Sequence, residues 1–150
     1  MKLDDLLRAD RVFYVSSVSS KKKLLQSMAE YISGDVGTPA PVLLERLTAR
    51  EQLGSTGVGH GVAIPHARLS RIEKVQGAFM VLGQPVEYDA IDGQPIDIVF
   101  LLVAPEKDST DHLKAMALVS RILRNKKNCE VLRATKSPSA LFGLLQKMAL

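Results

Sequence analysis

The chain has 150 residues, 46% hydrophobic and 24% charged, a balance that predicts one folded domain with a sizeable core and not a disordered segment. No apolar run approaches the roughly 20 residues of a membrane helix. The start Met1-Lys2-Leu3-Asp4-Asp5 is acidic where a secretory leader is basic, and the lone Cys129 excludes an internal disulfide and a thiolate-built zinc site. A soluble, cytoplasmic, single domain spanning residues 1–150 is expected. The net charge of +4 is spread over Lys21–Lys23, Arg68 and Arg71, Arg121–Lys127 and Arg133–Lys136, without interleaved aromatics in a chain that has no Trp. Solvated helix faces explain this better than a nucleic-acid surface.

Val12–Val15 is short and apolar enough for a first strand. Ser19-Ser20 offers N-cap side chains for a helix in which Leu24, Leu25, Met28, Ala29 and Ile32 recur at helical spacing. Gly34 is the expected stop. Pro39 and Pro41 bracket the start of a second helix, with Val42, Leu43 and Leu47 facing inward, Leu44 as a further candidate, and an end near Gln52. The stretch Gly54–Gly61 holds four glycines with Ser55 and Thr56, which excludes a helix interior and predicts a loop. It runs into Val62-Ala63-Ile64 and then Pro65-His66. Gly77–Leu82 and Ile96–Ala104 read as strands, and the turn-rich Gly83–Pro95 between them suits an antiparallel hairpin.

Asp108-Ser109-Thr110-Asp111 is a cluster of N-cap residues ahead of a third helix. That helix carries His112 in its first turn, and its apolar positions are Leu113, Met116, Ala117, Val119 and Ile122. Asn128–Ala134 suits a short helix. Ser137-Pro138 opens the last one, with Leu141, Leu144, Leu145 and Met148 on one face. Helices before, between and after apolar strands predict a layered α/β domain.

Three histidines, His60, His66 and His112, hold most of the potential chemistry. His66 stands out because it ends a short apolar segment just beyond the glycine loop, where a rigid scaffold presents a loop. Glycines let backbone N–H groups approach an anion, but the loop lacks the Gly-Lys-Ser/Thr ending of a nucleotide P-loop. The six-residue separation of His60 and His66 is not the spacing of a helical metal pair, and no HExxH motif supports zinc. No G-x-S-x-G elbow surrounds Ser55, which argues against a serine hydrolase. A nucleophilic histidine that accepts a phosphoryl group remains. Neutral imidazole has a free lone pair near pH 7, and phosphoryl transfer needs mainly alignment and donors around the moving oxygens. Arg50 and His112 are candidates for those donors, and no metal or cofactor is then required.

The segment Arg50-Glu51-Gln52-Leu53-Gly54-Ser55-Thr56-Gly57-Val58-Gly59-His60-Gly61-Val62-Ala63-Ile64-Pro65-His66-Ala67-Arg68 resembles the active-site segment of the enzyme IIA domains of the phosphoenolpyruvate phosphotransferase system. Ala-Ile-Pro-His is the ending of the fructose/mannitol type, and Arg-Glu followed by Gly-Ser-Thr-Gly is the texture of its nitrogen-regulatory branch. The likeness continues through Asp92-Gly93-Gln94-Pro95-Ile96-Asp97, Ala104-Pro105 and Asp111-His112-Leu113, over nearly the whole chain. It implies a three-layer α/β/α domain with a mixed five-stranded sheet. It implies phosphorylation of His66 on Nε2, flanked by Arg50 as anion clamp and by His112 as a hydrogen-bond donor. Ser55, Thr56 and Gly57 would form a phosphoryl-binding loop.

The resemblance further implies an HPr-type phosphocarrier as donor and regulatory targets such as a sensor kinase or an ion transporter. Two alternatives stand beside this reading: a sugar-transport enzyme IIA that donates to a IIB domain, and a binding module for a kinase or transporter in which phosphorylation is only a switch. Plainer roles stand beside the residues too. Arg50 suits a helix-end cation and His112 a solvated first-turn residue. His60 departs from the family pattern, where Asn often occupies this place; it reads as a turn residue between two glycines, with a second phosphoryl acceptor as the alternative. The basic pI of about 9.3 is likewise not a family expectation.

Overall fold

A computed structural model describes residues 1–107 and 110–150. Two long neighbouring strands organise it. These are the sixth and fifth of β1 (Val12–Val15), β2 (Gly57–Gly59), β3 (Val62–Ala63), β4 (His66–Leu69), β5 (Gln76–Val86) and β6 (Ile96–Pro105). Along β6, Ile98, Phe100, Leu102 and Ala104 enter one core while Val99, Leu101 and Val103 enter a second. β5 alternates in the same way, with Phe79 and Val81 against Ala78, Met80 and Leu82. Near-continuous apolar strands are what a sheet covered on both faces requires.

The covering helices are α1 (Lys21–Val36) and α2 (Ala40–Gln52) on one face, and α3 (Thr110–Leu123), α4 (Lys126–Arg133) and α5 (Pro138–Met148) on the other. Leu24, Met28, Ile32, Leu43 and Leu47 of the first pair fill one core. Ala115, Val119, Ile122, Leu132, Leu141 and Leu145 of the second group fill the other. The result is the expected three-layer α/β/α sandwich. No helix among the described residues is long and apolar enough to cross a membrane.

The sheet order is β1-β5-β6-β3-β2, with β4 also paired to β6. It is mixed: β1 runs parallel to β5, β5 antiparallel to β6, and β3 and β4 both parallel to β6. The path has the five strand positions expected, filled by six segments because β3 and β4 both pair with β6, and Gly57–Gly59 of the glycine-rich stretch supplies the edge antiparallel to β3. β3 and β4 are halves of one line along β6, interrupted at Ile64-Pro65, where the Pro65 carbonyl still accepts the Leu102 N–H at 3.0 Å. His66 is therefore the first residue of a strand and not the end of one.

Several local expectations are corrected. Gly34 lies inside α1; the stop is Gly37, at φ 72°, whose N–H bonds the Ser33 carbonyl. α4 starts at Lys126, capped by Asn125, two residues before the expected Asn128. Val42 and Leu113, expected inside, are exposed. The inward stripe of α3 is His112, Ala115, Val119 and Ile122, so the helix is rotated from the expected face and His112 occupies the position given to Leu113. Asp108 and Ser109 of the expected cap cluster lie outside the described residues.

Candidate active site

All three layers meet at His66. The sheet supplies the histidine at the start of β4, α2 supplies Arg50 in its last turn, and α3 supplies His112 in its first. Ala67 and Leu69 belong to the core under α1 and α2. Strand alternation therefore leaves His66 on the side of the sheet that faces α3.

The imidazole of His66 is held at both nitrogens. Nδ1 lies 3.0 Å from the Ile64 carbonyl oxygen, and a carbonyl only accepts, so Nδ1 carries the proton. Nε2 is then the lone-pair nitrogen, and it receives the Arg50 Nε–H at 3.1 Å. Arg50 is itself anchored, because its Nη1 donates to the Gly54 carbonyl at 2.8 Å. The His112 ring sits 5.7 Å from that of His66, centroid to centroid, tilted by 50°. His112 is buried while His66 is half-buried. A half-buried imidazole with a fixed tautomer, an unprotonated Nε2 and a guanidinium beside it can attack an electrophile of anionic character.

The glycine loop is shaped by a buried polar cluster. The Glu51 carboxylate accepts the Thr56 N–H at 2.9 Å and the Thr56 hydroxyl in a short hydrogen bond. Lys21 Nζ of α1 pairs with Glu51 Oε1 at 3.1 Å and lies over the Tyr88 ring, 4.3 Å from its centroid. The single hydroxyl proton of Thr56 goes to Glu51, so the Tyr88 phenol donates to Thr56 Oγ at 3.1 Å. Burial, and then the negative charge of Glu51, push the Tyr88 phenol well above the ordinary tyrosine range. Tyr88 therefore stays a donor. The side-chain oxygens of Glu51, Thr56 and Tyr88 all find partners in this cluster, the condition under which a buried network rigidifies a structure.

The loop residues are thus engaged with the scaffold. Ser55 Oγ donates to the Tyr88 carbonyl at 3.2 Å and accepts the Gly57 N–H at 3.1 Å. The Gly54 N–H bonds the Glu51 carbonyl. The side-chain donor bonded to His66 is Arg50 Nε–H. His60 sits apart from this cluster in the β2–β3 turn, at φ 57°, with its N–H on Asp92 Oδ2 at 3.0 Å and its carbonyl on Arg133 Nη2.

Reading the sequence passed over Glu51, Tyr88 and Lys21. Glu51 left a signal, since it follows Leu43 and Leu47 at spacings of four on the buried face of α2. A carboxylate on an apolar stripe is seldom buried without a partner. Tyr88 lies in a turn-rich segment and Lys21 in a lysine run, and neither pattern reveals a place in the cluster around Glu51 and Thr56.

With this geometry in view, residues 5–148 match the family described as phosphoenolpyruvate-dependent sugar phosphotransferase system, EIIA 2. The chain belongs to this family. It is similar to the nitrogen regulatory protein of Bradyrhizobium diazoefficiens, at 41% identity over 97% of this chain and 95% of the relative. Among solved structures it resembles nitrogen regulatory protein IIA-Ntr from Neisseria meningitidis, with a TM-score of 0.86 and 32% identity over 95% of this chain and 97% of that one. IIA mannitol from Escherichia coli shares the EIIA fold with a TM-score of 0.78 at 20% identity, covering 93% of this chain and 98% of that one.

Proposed function

We propose that this EIIA protein is a phosphoryl carrier that accepts a phosphoryl group on Nε2 of His66 and signals through its phosphorylation state. The observation that carries the reading is the held imidazole: Nδ1 on the Ile64 carbonyl and Nε2 beside the Arg50 guanidinium. In the proposed reaction the donor is a histidine-phosphorylated carrier of the HPr type. Arg50 Nε leaves Nε2 and turns to the phosphoryl oxygens, while Nη1 keeps its anchor on Gly54. The lone pair of Nε2 attacks phosphorus in line. The new P–N bond forms as the donor's P–N bond breaks, and the donor imidazole departs with its electron pair. The proton stays on Nδ1, donated in a hydrogen bond to the Ile64 carbonyl, so the product ring is cationic beside the phosphoryl dianion.

His112 serves as a hydrogen-bond donor to the bound phosphoryl from the opposite helical layer. Ser55, Thr56 and Gly57 act by holding the loop in shape, since their polar groups already bond the scaffold. Adding about −1.5 to −2 charges at this surface changes which partners bind. Exposed Leu53, three residues after Arg50, and exposed Leu113, next to His112, give the surroundings the apolar character of a protein-docking surface. The likeness to nitrogen regulatory proteins over nearly the whole chain supports the regulatory branch over sugar transport. The class of target in this proposal is a sensor kinase or an ion transporter.

The test is phosphoryl transfer from phosphoenolpyruvate through enzyme I and a phosphocarrier, read by intact mass with acid and base stability. Wild type gains one acid-labile, base-stable group and His66→Ala gains none. Equal labelling of both proteins overturns the assignment. Efficient onward transfer to a sugar IIB domain would replace the regulatory reading with the transport one.

A further inference from the structure

A groove of about 480 Å³ lies between the β2–β3 hairpin and the corner where α3 turns into α4, away from Arg50 and His112. Its size is that of a small-molecule site. Val58, Val62, Ile64 and Leu123 form its apolar wall, and Val58 is 56% exposed there. Arg124, Lys126 and Arg133 bring positive charge to it and Glu130 brings one negative charge.

These cations are not equivalent. Arg133 is engaged: its Nε meets both Asp97 oxygens at 2.9 Å, and its Nη2 holds the His60 carbonyl. Asp97 balances its charge. Arg124 and Lys126 make no side-chain hydrogen bond or ion pair among the described residues. The carbonyls of Ile122 and Leu123 at the end of α3 would repel an anion, but Asn128 Nδ2 covers the first at 2.9 Å and Cys129 Sγ the second at 3.1 Å. Burial pushes the Cys129 thiol up, so the sulfur offers no nucleophile to an occupant.

We propose that this groove is a binding site for a small organic anion with an apolar body, its head between Arg124 and Lys126 and its body on Val58, Val62, Ile64 and Leu123. It touches the phosphoryl site at Ile64, whose side chain lines the groove and whose carbonyl holds His66 Nδ1. Binding does not depend on the phosphoryl reading, and His66→Ala is expected to bind equally well.

The probe is octanoate, titrated into the full chain and followed by methyl NMR, with octanol and inorganic phosphate as arms that carry only the apolar body or only the charge. Saturable shifts are expected at the methyls of Val58, Val62, Ile64 and Leu123. Affinity should fall about tenfold or more for octanol and in the Arg124→Glu/Lys126→Glu variant, which alters only exposed side chains. Val58→Asp should weaken binding in the same way while leaving the fold intact. Absence of saturation below about 10 mM, or affinity indifferent to charge reversal, overturns the proposal. So do shifts confined to other residues. Capture of an acidic apolar peptide by a groove that ignores octanoate would make it a protein-docking face and would also overturn it.

Discussion

The Nε–H of Arg50 points at Nε2 of His66 across 3.1 Å, while the same guanidinium grips the Gly54 carbonyl through Nη1 at 2.8 Å. One side chain thus covers the unprotonated ring nitrogen and ties it to the glycine loop. A planar, forked donor can hold the loop with one nitrogen and swing another onto phosphate oxygens, which an ammonium cannot do. Arg50→Lys is expected to slow phosphoryl acceptance by roughly 10² to 10³-fold, the cost of removing one preorganised donor from a developing anion. Rapid-quench labelling checks this. A rate within about threefold of wild type, against the roughly hundredfold loss expected, would remove Arg50 from the transfer step.

Glu51 holds Thr56 at two atoms and Lys21 at a third. Glu51→Gln keeps the size but turns an amide N–H₂ toward one of these donors. It is expected to cost about 2–4 kcal/mol in urea denaturation, the range for breaking a buried charged network on one side. His66 labelling should also slow, because the loop that anchors Arg50 loses its tether. An unchanged midpoint would mean that the cluster is incidental.

A Cβ on Gly57 would stand 2.7 Å from Ala90 Cβ and 2.9 Å from Ala90 Cα. Backbone is involved on both sides, so the clash cannot relax by a rotamer change. Gly57→Ala is expected to destabilise by about 1–3 kcal/mol. Adding Ala90→Gly should recover part of that loss, because it removes one of the two colliding atoms. Thermal melts of the single and double variants make the comparison. Additive losses would contradict the contact.

Asp92 holds the β2–β3 turn by accepting the N–H groups of His60 at 3.0 Å and Gln94 at 3.1 Å. These bonds, that from His60 first, draw its carboxyl below the ordinary aspartate range. A lowered folded-state pKa contributes stability that is complete above the unfolded value of about 3.9 and fades as pH falls through the folded one. Asp92→Asn, whose amide cannot accept both bonds, should therefore increase hydrogen exchange at the His60 amide near neutrality. The difference from wild type should shrink in acid. A difference independent of pH would assign the effect to shape alone.

By itself the sequence determined the elements and the candidate nucleophile. Strand and helix periodicities along Val12–Val15, Leu24–Ile32, Gly77–Leu82 and Ile96–Ala104 are local properties, as are the caps at Ser20 and Ser137. The motif around His66 was likewise readable in one stretch of chain. Local pattern misled where it was degenerate. α3 offered two overlapping stripes, and Leu113 looked a better core residue than His112; packing against the sheet chose His112.

Only the tertiary structure decided what His66 touches. Its partners come from α2 and from a carbonyl two residues upstream, Thr56 meets Tyr88 and Glu51 meets Lys21 from separate segments, and Arg133 closes on His60 across 73 positions. The physical reason is that hydrogen bonds select on distance and angle in space. Spacing along the chain carries that information within a helix or a strand, and loses it once the contact crosses from one layer to another.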